Sequence, residues 1–134
     1  RLALNVPHSA ISPDIMPPSA GQGALAIQAR NADNSRSQAV IDAAATIGCA
    51  ATTTEVTAER ALLGRLDGSC HTPIAASATL QPDGRLHLDG MILSTDGSNA
   101  FRDSLTGVAS DAVQIGVALA DQLLGAAGGR DFLA

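Results

Sequence analysis

Two tight-turn signals constrain this chain more than any other feature. Pro82-Asp83-Gly84 and Asp96-Gly97 divide the stretch 74–108 into three runs with strand character. Proline presets the first φ of a turn and glycine supplies a positive one. The run 74–81 alternates. The run 85–94 places Leu86 and Leu88 between Arg85, His87 and Asp89, and 100–108 can form a third strand. Short turns between successive strands leave little choice but an antiparallel meander.

A helix is expected on each side of these strands. Thr52-Thr53-Thr54-Glu55 has the form of a capping box, and from there Ala58, Leu62 and Leu66 recur every fourth residue with Leu63 beside them. Asp67-Gly68 stops that helix, and Cys70 follows on a loop closed by Pro73. Ser110-Asp111 is expected to cap a last helix with an apolar stripe of Val113, Val117, Ala120 and Leu124, ended by Gly128-Gly129. The order predicts an α+β fold, a three-stranded antiparallel sheet covered on one face by helices.

The upstream part reads differently. Pro7, Pro13, Pro17 and Pro18 forbid a continuous helix over 1–20, which reads as the end of an upstream domain and a connector. Gly21-Gln22-Gly23 then turns into a short buried strand over 24–28. Val40, Ile41, Ala44 and Ile47 predict a helix over 37–47 that Gly48 ends in the left-handed conformation. The expected organisation is therefore 1–20 connector, 21–48 a strand and helix belonging to an upstream domain, and 49–134 the α+β domain. The chain opens on Arg1 rather than Met, and is read as a fragment or a processed product.

Composition excludes several functions. With two Phe and no Tyr or Trp, the core must come from Leu, Ile, Val and Ala, and no base-stacking surface is available. A net charge of −5 with no Lys and no run of Arg argues against nucleic acid as a partner. No secretory signal or membrane span is apparent, so a cytoplasmic protein with no membrane partner is expected, and a monomer is the expected state. His8, His71 and His87 show no metal-ligand spacing with Cys49 or Cys70, and no metal is expected.

Cys70 is the first chemical candidate, an accessible soft nucleophile. Its place after a helix C-terminus does not favour a thiolate, although Arg60, Arg65 and His71 are near in sequence. Such a thiol suits a very reactive electrophile or an attachment point, and the bland reading is an inert cysteine. Gly21-Gln22-Gly23 is the second candidate, since glycines let backbone N–H groups approach an anion. Its bland reading is a turn. Glu59 and Arg60 point in different directions on their helix, as surface residues or as a tether to another domain. No Ser-His-Asp arrangement is visible. These residues alone leave open a non-catalytic module that binds a small ligand or a partner, with Cys70 inert, or a thiol-dependent enzyme.

Three segments narrow the choice. They are Pro18-Ser19-Ala20-Gly21-Gln22-Gly23-Ala24-Leu25-Ala26-Ile27-Gln28, then Ala58-Glu59-Arg60-Ala61-Leu62-Leu63-Gly64-Arg65-Leu66-Asp67-Gly68-Ser69-Cys70-His71-Thr72-Pro73-Ile74, and Leu88-Asp89-Gly90-Met91-Ile92-Leu93-Ser94-Thr95-Asp96-Gly97-Ser98. Together they resemble the porphobilinogen deaminase (hydroxymethylbilane synthase) family, in order and spacing, over nearly the whole chain. The resemblance implies a transferase of tetrapyrrole and haem biosynthesis that joins four porphobilinogen molecules into hydroxymethylbilane and releases ammonia. It implies a covalent dipyrromethane cofactor held by a thioether to Cys70. Loss of ammonia gives an electron-poor azafulvene, for which an ordinary thiol suffices. By the same resemblance Gln22 and Gly23 line the cofactor and substrate cleft, and Arg1 binds a substrate carboxylate. The family's catalytic aspartate and most of its carboxylate-binding arginines lie upstream of Arg1. No catalytic residue is therefore expected in this chain, and the fragment is expected to be inactive alone.

Overall fold

A computed structural model describes residues 6–31, 33–69 and 71–133. The elements run α1 (Ser35–Thr46), α2 (Ala50–Arg65), β1 (Ile74–Leu80), β2 (Arg85–Leu93), β3 (Ala100–Val108) and α3 (Ala112–Ala126), with 3₁₀ turns at Ala109–Asp111 and Arg130–Leu133. The strands form one antiparallel sheet in the order β1-β2-β3. The expected meander is the observed one, and both turns use glycine at positive φ, Gly84 at 81° and Gly97 at 72°. In the second turn a single Asp96 carboxylate oxygen accepts from the Ser94 hydroxyl at 2.6 Å, the Ser98 N–H at 3.0 Å and the Ser98 hydroxyl at 2.8 Å. Those bonds hold the Asp96 carboxyl down at about 2.

Helices α2 and α3 pack on one face of the sheet and on each other. Leu62, Leu86, Leu88, Ile92, Leu119 and Leu123 are fully buried between them. The expected row Ala58, Leu62 and Leu66 faces this core. The two helices approach closely at Gly116, where a Cβ would stand 2.3 Å from the Ala58 carbonyl oxygen and 2.7 Å from the Ala61 Cβ. That approach rotates α3 from its expected setting. Its buried side is Ala112, Ile115, Gly116, Leu119, Ala120, Leu123 and Leu124, while Val113 is exposed and Val117 only half-buried. The expected cap differs too, because the Ser110 hydroxyl donates to Asp111 at 3.0 Å and no side chain caps α3.

The same helix ends in a Schellman motif at Gly128-Gly129. The Gly129 N–H reaches the Leu124 carbonyl at 2.8 Å, with Gly128 at φ 83°. Helix α2 ends in the same motif, with Gly68 N–H bonded to Leu63 O at 3.0 Å and Asp67 N–H to Gly64 O at 3.2 Å. Here the left-handed position is held by Asp67 at φ 56°, not by a glycine. The Arg130 guanidinium donates to the Arg65 carbonyl at 2.7 Å, satisfying an end of α2, and Phe132 meets Phe101 edge-to-face at 5.1 Å.

The start of α2 corrects the expected capping box. The helix begins at Ala50, with Cys49 as N-cap and no side-chain cap bond. The Thr53 and Thr54 hydroxyls bond back to the Cys49 and Ala50 carbonyls at 2.9 and 3.1 Å. Glu55 turns away and accepts the Leu80 N–H at 2.9 Å, and Glu59 accepts the Ala78 N–H at 2.8 Å. The reason is solvent access. Water can serve N–H groups of an exposed first turn, whereas the part-buried donors of an edge strand need a partner.

The upstream segment shares the expected helix but not the strand. Helix α1 starts earlier than expected because the Asn34 side chain accepts from the N–H groups of Arg36 and Ser37, both at 3.0 Å. It ends at Thr46, and Gly48 does not take a positive φ. Residues 24–28 pair with no strand among the described residues. Leu25 is 98% exposed and Ile27 58% exposed, where a buried strand was expected. A strand needs a neighbour to satisfy its ladder, and among the described residues none stands beside 24–28.

Candidate functional site

The site is built on α2 and on the two chain segments that flank it in space. Beyond the C-terminus of α2, the loop 68–73 is held by hydroxyls. The Thr72 Oγ accepts the Ser69 N–H at 3.1 Å, the Ser69 Oγ accepts the His71 N–H at 3.2 Å, and the Thr72 N–H returns to the Ser69 carbonyl at 3.1 Å. The loop is fixed at both ends, by buried Leu66 before it and buried Ile74 after it. Cys70 and Arg1, both expected site residues, lie outside the described residues. His71 is exposed.

Gly21-Gln22-Gly23 forms two consecutive tight turns, with the Gln22 N–H bonded to Ser19 O and the Ala24 N–H to Gly21 O, both at 3.1 Å. Gly21 adopts φ 72°, which requires glycine in practice. Its N–H donates to the Glu59 carboxylate at 2.6 Å. Gln22 and Gly23 are exposed, and among the described residues no side chain holds the Gln22 amide. An exposed primary amide beside a glycine N–H fits a carboxylate ligand.

Glu59 was expected as a surface residue or as a tether to another domain. It is buried, and one carboxylate joins the Gly21 turn to β1 across α2. The signal for it was the i, i+4 spacing of Glu55 and Glu59. Four helical residues rise about 6 Å, close to the roughly 6.6 Å between alternate strand residues, so two carboxylates on one helix face match two N–H groups of a strand edge.

Cys49 is exposed at the start of α2. Hydrogen bonds from Thr52, first its side chain and then its backbone, draw the thiol below its ordinary pKa. No group of three or more His, Cys, Asp or Glu that could hold a metal ion occurs among the described residues, and no helix there is long and apolar enough to cross a membrane.

This geometry defines a class first: a small α+β domain with helices on one sheet face, its connector bonded to the same body that carries the loop 68–73. Comparison with known proteins narrows it further. The sequence model described as "Porphobilinogen deaminase, C-terminal domain" matches residues 53–125. The chain is 47% identical over 120 residues to a porphobilinogen deaminase of Trichlorobacter lovleyi, covering 90% of this chain and 36% of that protein. It is 44% identical over 124 residues to one from Paracoccus denitrificans, covering 92% and 38%. With one from Maridesulfovibrio salexigens it is 40% identical over 134 residues, covering 99% and 42%. The chain belongs to the porphobilinogen deaminase family and spans well under half the length of these curated relatives.

Proposed function

We propose that this chain is the C-terminal part of a transferase that joins four porphobilinogen molecules into hydroxymethylbilane with release of ammonia, and that Cys70 anchors its dipyrromethane cofactor. The observation that carries the reading is the family match over 53–125, which runs through the Cys70 segment. When bound, the cofactor supplies a pyrrole end to which the next substrate is joined. Cys70 would hold the cofactor through a C–S bond to the carbon that had carried the protonated amine, the C–N bond breaking as ammonia leaves and the thiol proton going to that ammonia as ammonium.

The chain's own residues supply position. The Ser69 and Thr72 hydroxyls shape the loop, and the Schellman motif before it fixes where α2 releases the chain. Gln22 and Gly23 offer an amide and a backbone to a pyrrole acetate or propionate, and Arg1 offers a guanidinium. The exposed Leu25, Ile27, Val40 and Ile47 fit a segment, 21–48, that docks on another part of a longer protein. With the catalytic aspartate elsewhere, the isolated chain is inactive.

Intact-mass measurement tests the reading. The longer parent protein is expected to exceed its sequence mass by one dipyrromethane, to lose that excess in Cys70→Ala, and to keep it in Cys49→Ser, the control for the second thiol. Active parent enzyme that is unmodified at Cys70 would overturn the assignment.

A further inference from the structure

The connector does not leave the α+β domain at the sheet; it is fastened around it. Four bonds from three elements hold nine residues, 13–21. Arg102 of β3 donates to the Asp14 carbonyl and, at 3.4 Å, to the Pro13 carbonyl. The Ala76 N–H of β1 donates to the Pro18 carbonyl at 2.9 Å, and the Gly21 N–H donates to Glu59 of α2 at 2.6 Å.

The path these bonds define crosses the open face of the sheet. Register places Arg102 opposite Met91, and Met91 opposite Ala75, on the face away from the helices. A turn over 12–16, with the Ile15 and Met16 N–H groups bonded to the Ser12 carbonyl at 2.9 and 3.0 Å, sits at the Arg102 end of this path, and Pro17 and Pro18 carry the chain from it to β1. Two burials mark the crossing. Pro17 is buried, and Ala75 is only 7% exposed on a face the helices leave uncovered. Arg102 is itself aimed by Asp89 on the neighbouring strand, whose carboxylate takes its Nε at 3.0 Å. The guanidinium thus binds a carboxylate with one edge and two main-chain carbonyls with the other, which its planar fork permits.

We propose that Arg102 is a positioning residue. By strapping residues 13–21 across the sheet it fixes the Gly21-Gln22-Gly23 turn to the body that carries Cys70, so that anchor and turn move together. The role of the turn rests on the function proposed above; the strap itself does not.

Residue-resolved hydrogen exchange on the 134-residue chain tests the strap without any turnover. In Arg102→Ala the Ala76 and Gly21 amides are expected to exchange about ten-fold faster while Leu80, held by Glu55, keeps its rate. Unchanged rates at Ala76 and Gly21, or a rise at Leu80 to match, overturn the proposal. Arg102→Lys keeps a charged donor over the same carbonyls and is expected to return both rates to within about threefold of the unchanged chain; a lysine variant as fast as the alanine one also overturns it. In the longer parent protein Arg102→Ala is expected to raise KM for porphobilinogen several-fold, with kcat within about twofold. An unchanged KM removes the positioning role. A parent that consumes no porphobilinogen before mutation removes the proposed function instead, and the exchange rates then decide the strap alone.

Discussion

Asp67 shows how much a single residue is asked to do in this fold. The chain must reverse after α2 so that Leu66 and Ile74 both reach the core, and the Schellman motif does this only with its pivotal residue at positive φ. Glycine fills that place at the end of α3, aspartate at the end of α2. A side chain in the left-handed region costs about 1 kcal/mol, less for Asp and Asn than for most residues. Asp67→Gly is therefore expected to stabilise the chain by up to about 1 kcal/mol, offset in part by glycine's greater freedom when unfolded. Urea unfolding checks this through a higher midpoint at unchanged slope.

Edge protection dominates at the level of elements. Strand β1 ends the sheet on one side, and its outward N–H groups at Ala76, Ala78 and Leu80 are taken by the Pro18 carbonyl, Glu59 and Glu55 in turn. An edge whose donors are consumed offers no template to another strand. Removing one acceptor leaves a part-buried donor without its partner, at about 1–3 kcal/mol. Glu55→Ala is expected to destabilise the chain within that range and to speed exchange of the Leu80 amide, whereas Glu55→Gln keeps an acceptor oxygen and recovers most of the loss. Equal unfolding midpoints for Glu55→Ala and the unchanged chain would show that water replaces the carboxylate. The ion pair Arg65–Asp121 between α2 and α3 is, by contrast, nearly half exposed on both sides and contributes little.

The whole molecule divides by how its segments are held. Residues 13–21 are bonded to the sheet and to α2, and the core from α2 to α3 is closed. Between them the chain over 24–31 makes no ladder, and α1 buries no residue. Trypsin has only arginine to cut, because the chain contains no lysine. Cleavage after Arg30, exposed in a segment without regular structure, is expected to precede cleavage after Arg60, within α2, by at least about ten-fold in rate. A mass-resolved time course reads this directly, and simultaneous cutting at both sites would show that 24–31 is as well protected as the core.

The sequence by itself determined the meander, the α+β class and the core row of α2, because these rest on local rules. Turn residues fix where strands reverse, and period-four apolar spacing fixes which side of a helix is buried. It also carried the family, through the segment around Cys70. Tertiary structure alone decided which face α3 buries, since Gly116 admits α2 at a distance no pattern along one helix records. It decided the use of Glu55 and Glu59, which left their local capping and surface readings for strand donors 19 to 25 residues away. Arg102, too, was an unremarked strand residue until the fold brought it over carbonyls 88 and 89 positions distant. Hydrogen-bond partners of this kind follow from which buried donors remain unmatched once the elements have packed, and that is a property of the packed chain rather than of any stretch of it.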